Sequence, residues 1–368
     1  MRLFRAVMML SVLMLVFSEF VWGKVPPRKP QRPRPGANAP SSPYGQKQSE
    51  SGNVKKKTPQ KTVNVKGKKP DDSFVFIPAN ESFQFAVSLD KRGQGEDSPI
   101  MSSYCLAKYP VTNGEYKKFL DETNKFDPPQ YWKNGTWPEG KEKHPVLDVS
   151  YDEAQAYCQW LESKNSKWHF RLPTEAEWEN AAMGPSKNIF PWGDEADNEM
   201  SRDKFKTRFN FNGVVAFHYL NTDPARMVEF NHAKSDRRGQ RVRLAELISV
   251  DESGRVRGWI DHRSYTGFVY TDLFKEISRT GGFTTPVDDY PDGKSEYGCF
   301  DMAGNSWDWT SSDIIATNGA EKGQSVKAIR GGSWYATMNS CRTTFRGEGR
   351  RPRGSFNTVG FRVAAEPK

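Results

Sequence analysis

Histidine and cysteine are scarce in this chain of 368 residues, which holds five of the first and four of the second. His144, His169, His218, His232 and His262 show no HxH or HxxxH spacing, so no compact imidazole metal motif is present. Cys105, Cys158, Cys299 and Cys341 are scattered, with no CxxC pair and no metal-ligand spacing. Four cysteines allow three complete disulfide pairings, and spacing alone selects none of them. Long apolar runs are also missing. The run Ala6–Phe17 has 12 residues, short of the ~20 that a membrane helix needs. No flavin, haem or nicotinamide motif is visible, and no internal repeat.

What is present begins with a leader. Arg2 and Arg5 give a positive start, the apolar run follows, and Val21 and Gly23 suit the −3 and −1 positions of a cleavage after Gly23. Residues 1–23 therefore read as a signal peptide, and the protein is expected to be exported to a periplasm, a cell surface or the medium. No cysteine follows the run, which excludes a bacterial-type lipid anchor on the first mature residue.

Residues 24–72 form a basic, Pro- and Lys-rich linker whose one aromatic is Tyr44. Such a composition buries too little apolar surface to offset chain entropy. The linker carries 13 Lys or Arg against Glu50, Asp71 and Asp72, a net of +10. The whole chain is +9 and the leader +1, which leaves −2 for residues 73–368. The basic excess therefore belongs to the tail. It suits an anionic envelope surface, and the folded part lacks the basic face of a nucleic-acid binder.

Residues 73–368 read as one domain. SFVFIP at 73–78 alternates and predicts the opening strand. Thr112-Asn-Gly-Glu115, Ser150-Tyr-Asp-Glu153 and Thr174-Glu-Ala-Glu177 are capping boxes, each ahead of apolar residues at helical spacing. These residues are Tyr116, Phe119 and Leu120, then Ala154, Tyr157, Cys158 and Leu161, then Ala176, Trp178 and Ala181. The remainder is rich in Gly, Trp and Asp, with short strands at best. The pattern predicts an α+β domain with little regular secondary structure.

An ordered series of motifs carries a more specific resemblance. HPVLDVSYDEAQAYCQWL (144–161) leads into RLPTEAEWENAA (171–182) and PWGDE (191–195). TTPVDDYPDG (284–293) leads into YGCFDMAGNSWDWTSS (297–312). AIRGGSW (328–334) leads to CRTTFR (341–346) and VGFRVAAE (359–366). The series resembles the sulfatase-modifying-factor, or formylglycine-generating-enzyme, family over nearly all of 74–368. The resemblance implies a single C-type-lectin-like α+β domain. Two departures stand out. Asn80 occupies a position where the family usually has glycine, and about 213–278 has no recognised counterpart. Alternation of Val, Arg and Trp in RRGQRVRLAEL (237–247) and GRVRGWIDHRSY (254–265) predicts a hairpin or small subdomain there.

The resemblance also implies sites. Enzymes of the family use O2 to convert a sulfatase cysteine to formylglycine, with copper(I) between two cysteines, a soft ion between soft thiolates. Counted without a gap from Ser333, those positions fall on Ala336 and Cys341. If the Arg342–Arg346 spacing sets the register, Cys341 is a flanking residue. Either way the segment has one cysteine, so copper is not expected unless Cys299 or Cys105 supplies the other thiolate. Trp307 and Ser333 match further pocket residues, and the histidines do not support the iron site of sulfoxide-forming relatives. A structural calcium loop is matched by Asp301 and Asp308, with carbonyls near Gly304 and Ser306 as hard oxygen ligands. Asn210 and Phe211 mark another calcium position. Glu348, Arg350, Arg351 and Arg353 offer an anion-binding cluster or a solvated loop.

The leading expectation is a non-catalytic exported family member that binds a protein, a peptide or a surface glycan. The alternatives are a formylglycine-generating oxidase and a structural component of a cell-envelope complex tethered by its tail. Removal of Lys24–Pro70 is expected to leave the melting temperature nearly unchanged. A fall of more than ~5 °C, on the order of 1 kcal/mol or more at this size, would show that the tail packs on the domain.

Overall fold

In the computed structural model, residues 66–81, 83, 102–194, 199–201, 204–211, 214, 249–250, 256–257, 280–317 and 321–368 are described. The leader and most of the linker lie outside them. No helix among the described residues is long and apolar enough to cross a membrane.

Two four-stranded sheets form the frame. The first has the order β1-β2-β12-β3, from Phe74–Ile77, Tyr104–Ala107, Ala364–Pro367 and Trp168–Arg171, with every neighbour antiparallel. The second has the order β10-β9-β8-β11, from Gly349–Arg350, Ser325–Arg330, Trp307–Ile315 and Val359–Gly360. In it β11 runs parallel to β8, and the other pairs are antiparallel. The opening strand lies where the alternation placed it. The nine-residue β8 is longer than expected. Its sequence WDWTSSDII mixes β-favouring Trp, Thr and Ile with Asp and Ser, and pairing with β9 holds it extended throughout.

Among the described residues three α-helices pack against this frame: α1 (Asn113–Thr123), α2 (Tyr151–Ser163) and α3 (Glu175–Met183). All three capping boxes close in both directions. The backbone N–H groups of Thr112, Ser150 and Thr174 donate to the Glu three residues on, at 2.8, 2.7 and 2.8 Å. Tyr116, Phe119, Leu120, Ala154, Tyr157, Cys158, Trp178 and Ala181 are buried as the helical spacing requires. Leu161 and Ala176 are half-buried. One large cluster joins α1 and α2 to Phe361, Trp309 and Trp334. Another places Trp178 of α3 against Ile77, Leu106 and Met302.

The linker ends earlier than expected. The Cys105 thiol donates to the carbonyl of Lys68 at 3.3 Å, and Gly67 lies so close to the Phe76 ring that any side chain there would overlap it. A tail deletion that stops at Val65 spares these contacts. Two further strand pairs are antiparallel: β4 (Glu199–Ser201) with β5 (Lys204–Lys206), and, in the expected hairpin region, β6 (Ser249–Val250) with β7 (Val256–Arg257). The rest of that stretch lies outside the described residues.

The core also holds a buried ionic cluster. Arg330, fully buried at the end of β9, donates to Glu175 at 3.0 Å, to Glu179, and to the Thr343 carbonyl at 2.6 Å. Its guanidinium also lies over the Trp178 ring, 5.5 Å from the centroid. Removal of the cation would strand two buried carboxylates. Arg330→Met is expected to cost about 3–5 kcal/mol, read from urea unfolding. A loss under ~1 kcal/mol, the scale of an exposed pair, would show that the cluster contributes little.

Candidate functional site

The motif loops meet at two tight turns. After β9 the chain passes through Gly331 (φ 102°) and Gly332 (φ 79°) into Ser333 and Trp334. A Cβ on Gly332 would overlap the Cys341 sulfur, so glycine lets the loop and the Met338–Cys341 turn close on each other. Before β8 the DMAGNSW loop turns through Gly304 (φ 75°) and Asn305 (φ 63°). The Trp334 N–H donates to the Asn305 carbonyl at 3.0 Å, which joins the two loops.

Asn305 is completely buried and organises the surroundings. Its side-chain oxygen accepts from the Thr285 N–H at 2.9 Å and from Asn210 at 3.2 Å, and its amide donates to Asp301 at 2.8 Å. Asn210 also donates to the Phe283 carbonyl at 2.8 Å. The two ends of the 213–278 stretch are therefore tied together beside the motif loops.

Ser333, Ala336 and Cys341 come together. The Ser333 hydroxyl accepts from the Tyr335 N–H at 3.2 Å, and its carbonyl accepts from the Ala336 N–H at 2.9 Å. Ala336 packs against the cluster that contains Cys341, Phe190, Phe209, Phe211 and Val214. Trp307 belongs to the neighbouring cluster, its ring 6.0 Å from Phe345. Cys341 is completely buried. Burial pushes its thiol far above the usual range, while the backbones of Gly304 and Ser333 act the other way.

All four cysteines are free and buried, so none of the three disulfide pairings forms. Cys105 and Cys158 lie in one cluster, Cys299 in a second and Cys341 in a third. No second thiol shares the Cys341 cluster, and neither Cys299 nor Cys105 completes a pair there. Burial pushes the Cys105 and Cys299 thiols up to about 11. A metal-binding thiol must lose its proton, and these environments oppose that loss.

Of the calcium ligands expected at Asp301, Gly304, Ser306 and Asp308, Asp301 accepts from Asn305 and the Gly304 carbonyl from the Ser306 N–H, while Asp308 Oδ1 and Ser306 Oγ are buried with no hydrogen-bond partner. One Asp308 oxygen accepts from the Arg362 Nε and from the Trp178 indole at 2.8 Å. Arg362, fully buried, also donates to the carbonyls of Phe300 at 2.9 Å and Asp301 at 3.1 Å. A cation held by Asp301 and Asp308 would sit against a guanidinium. The Arg362 charge already serves Asp308, which opposes a cation between these two carboxylates. At the other calcium position, the Asn210 carbonyl accepts from the Asn305 N–H at 2.7 Å, and Phe211 stacks on Phe209. Among the described residues no group of three or more His, Cys, Asp or Glu could hold a metal.

The arginine loop is likewise answered by acids. Arg350 pairs with Glu348 at 2.9 Å and Arg351 with Glu321 at 3.1 Å, while Arg353 lies 3.9 Å from Asp152 with its side chain exposed. His144 shares a hydrogen bond with Thr284 at 3.0 Å, and burial lowers it to about 4. His169 pairs with Glu162 at 2.7 Å. His218, His232 and His262 lie outside the described residues. A cleft of about 350 Å³ lies elsewhere, between β1, α1, α2 and β3, lined among others by Phe74, Tyr109, Tyr157, Trp160 and Phe170. None of the motif-loop residues lines it.

The family model for the sulfatase-modifying factor enzyme 1-like domain matches residues 59–235 and 254–367. The chain belongs to that family. Its domain is α+β with little regular secondary structure, and the stretch the family model leaves unmatched within it is 236–253, inside the longer 213–278. Similar proteins include the formylglycine-generating enzyme of Bos taurus, 24% identical over 92% of this chain and 84% of that one. The inactive C-alpha-formylglycine-generating enzyme 2 of Mus musculus is 27% identical over 81% and 87%. Hercynine oxygenase of Mycobacterium tuberculosis is 24% identical over 66% of this chain, which spans 48% of that enzyme. PvdO from Pseudomonas aeruginosa is 21% identical, with a TM-score of 0.48 over 80% of this chain and 94% of that one.

Arg330 and Arg362 were not among the residues singled out from the sequence. The available signal was an arginine inside apolar or glycine-rich surroundings, AIRGGSW and VGFRVAA, where an unpaired charge could not be buried.

Asp301 separates the calcium reading from the arginine one. Burial, against the Asn305 hydrogen bond, pushes its carboxyl up to about 8. A raised carboxyl favours the folded state below its unfolded value of 3.8, and that contribution is lost as pH rises to about 8. Asp301→Asn is therefore expected to raise the melting temperature at pH 8 relative to the parent, with the difference vanishing below pH 4. Chelator should change neither protein. A melting temperature that falls with chelator in the parent only would restore the calcium site.

Proposed function

We propose that this chain is an exported, non-catalytic member of the sulfatase-modifying-factor family that binds a protein or peptide partner. The observation that carries the reading is Ala336 beside a solitary, fully buried Cys341. Copper(I) chemistry in the family rests on a thiolate pair, and a methyl group supplies no ligand. No other cysteine enters that cluster. Relatives named as formylglycine-generating enzymes and relatives named as inactive both resemble this chain, so the family accommodates either outcome.

Retention of Trp307 and Ser333 fits a binding role as well as a catalytic one. Both are buried parts of the motif loops, and the Ser333 hydroxyl is held by the Tyr335 N–H. A preserved framework without the ligand pair can still receive an extended peptide. The +10 linker would hold such a module near an anionic envelope surface.

Purified protein loaded with copper(I) and given O2 and a Cys-x-Pro-x-Arg peptide is expected to produce no formylglycine by mass spectrometry. Ala336→Cys should raise copper(I) affinity, because positions 336 and 341 pack in one cluster. Turnover by the unmodified protein, abolished by Cys341→Ser, would overturn the non-catalytic reading and establish the oxidase.

A further inference from the structure

The chain contains four Asn-Gly pairs, at 113–114, 134–135, 212–213 and 318–319. The last two lie outside the described residues. The other two sit in opposite environments, and the contrast assigns them different chemistry.

Asn113 opens α1 and is 1% exposed. Its amide donates to the Lys141 carbonyl at 2.7 Å, and its oxygen accepts from the Tyr131 hydroxyl and from the Trp132 indole at 3.2 Å. The following Gly114 N–H donates to the Glu142 carbonyl at 3.0 Å. Neither the side chain nor the next backbone nitrogen is free to move toward the other.

Asn134 and Gly135 form the tip of a two-residue turn between Lys133 and Thr136. The Lys133 N–H donates to the Thr136 carbonyl at 2.9 Å, and the Thr136 N–H returns the bond at 3.1 Å. Both tip residues have positive φ, 54° and 75°, the arrangement that favours Asn-Gly in such turns. The Asn134 side chain is exposed and makes no hydrogen bond, and the Gly135 N–H donates to no acceptor among the described residues. A Cβ placed on Gly135 would meet nothing within 4 Å. The side-chain amide and the glycine nitrogen are thus adjacent, solvated and unhindered.

We infer that Asn134 is a site of spontaneous, enzyme-independent modification by succinimide formation, from which Asn113 is protected by the fold. The Gly135 nitrogen attacks the Asn134 Cγ, and an N–C bond forms. The Cγ–Nδ2 bond breaks, and Nδ2 leaves as ammonia with the proton lost from the glycine amide. Water then adds to one carbonyl of the ring and opens it to aspartate or isoaspartate. Opening of the ring adds one negative charge, and the isoaspartyl product adds one methylene to the main chain. Either change falls between Trp132 and Trp137, whose rings pack edge to face 5.5 Å apart.

Folded full-length protein would be held at mildly alkaline pH, with a parallel sample in urea. Peptides from both would be resolved by mass spectrometry with isoaspartate detection. In the folded sample Asn134 is expected to convert to aspartate and isoaspartate while Asn113 keeps its amide. In urea, where the protecting contacts are lost, both should convert. An Asn134 that keeps its amide in the folded protein while it converts in urea would overturn the inference. So would an Asn113 that converts as fast as Asn134 in the folded protein.

Discussion

A guanidinium removed from water must meet acceptors on most of its donors, because an uncompensated buried charge costs several kcal/mol. Among the described residues two arginines are fully buried, and several loop carbonyls and carboxylates answer them. Arg362 draws a carboxylate from β8 and carbonyls from the loop at 300–301. Arg330 draws two carboxylates from α3 and a carbonyl from the segment after Cys341. Trp178 lies between them. Its face receives Arg330, and its N–H reaches the same Asp308 oxygen that Arg362 holds. One tryptophan on a short helix thus links the two charged centres, and segments with little regular structure acquire fixed positions.

How much of this was legible in the sequence depends on range. The three capping boxes and the helix faces are local patterns, and they appear as read. The opening strand is local too. The two arginine centres are not, because their partners lie tens to hundreds of residues away and no spacing rule connects them. Asp301 and Asp308 show the consequence. Their spacing in DMAGNSWD suggested a metal loop, but the side chain that engages Asp308 comes from position 362. The end of the expected linker shows the same limit of local reading. Lys66–Asp72 has a disordered composition, and its contact with Cys105 through the Lys68 carbonyl is a backbone interaction that composition does not report.

Cysteine placement is a separate matter. The segment after GGSW holds one cysteine, Cys341, and the cluster around it holds no other thiol. The features that preserve the loops and the feature that performs copper chemistry are separable here. Gly332 is required by the approach of Cys341, and Asn305 by the junction of two loops. Neither depends on a second thiol. Packing and backbone geometry are thus enough to account for these motif residues.

The bond from Asn210 to the Phe283 carbonyl has a consequence for how this domain can vary. It fixes the two exits of the intervening chain side by side, so whatever lies between them begins and ends at one place on the scaffold. The entropy of closing such an excursion grows only logarithmically, by ~0.6 kcal/mol for each doubling of a flexible segment. Sequence can be gained or lost there at small thermodynamic cost, without shifting either sheet. The junction acts as a socket, and it explains why one stretch of this chain can depart from its family while the surrounding motifs stay in order.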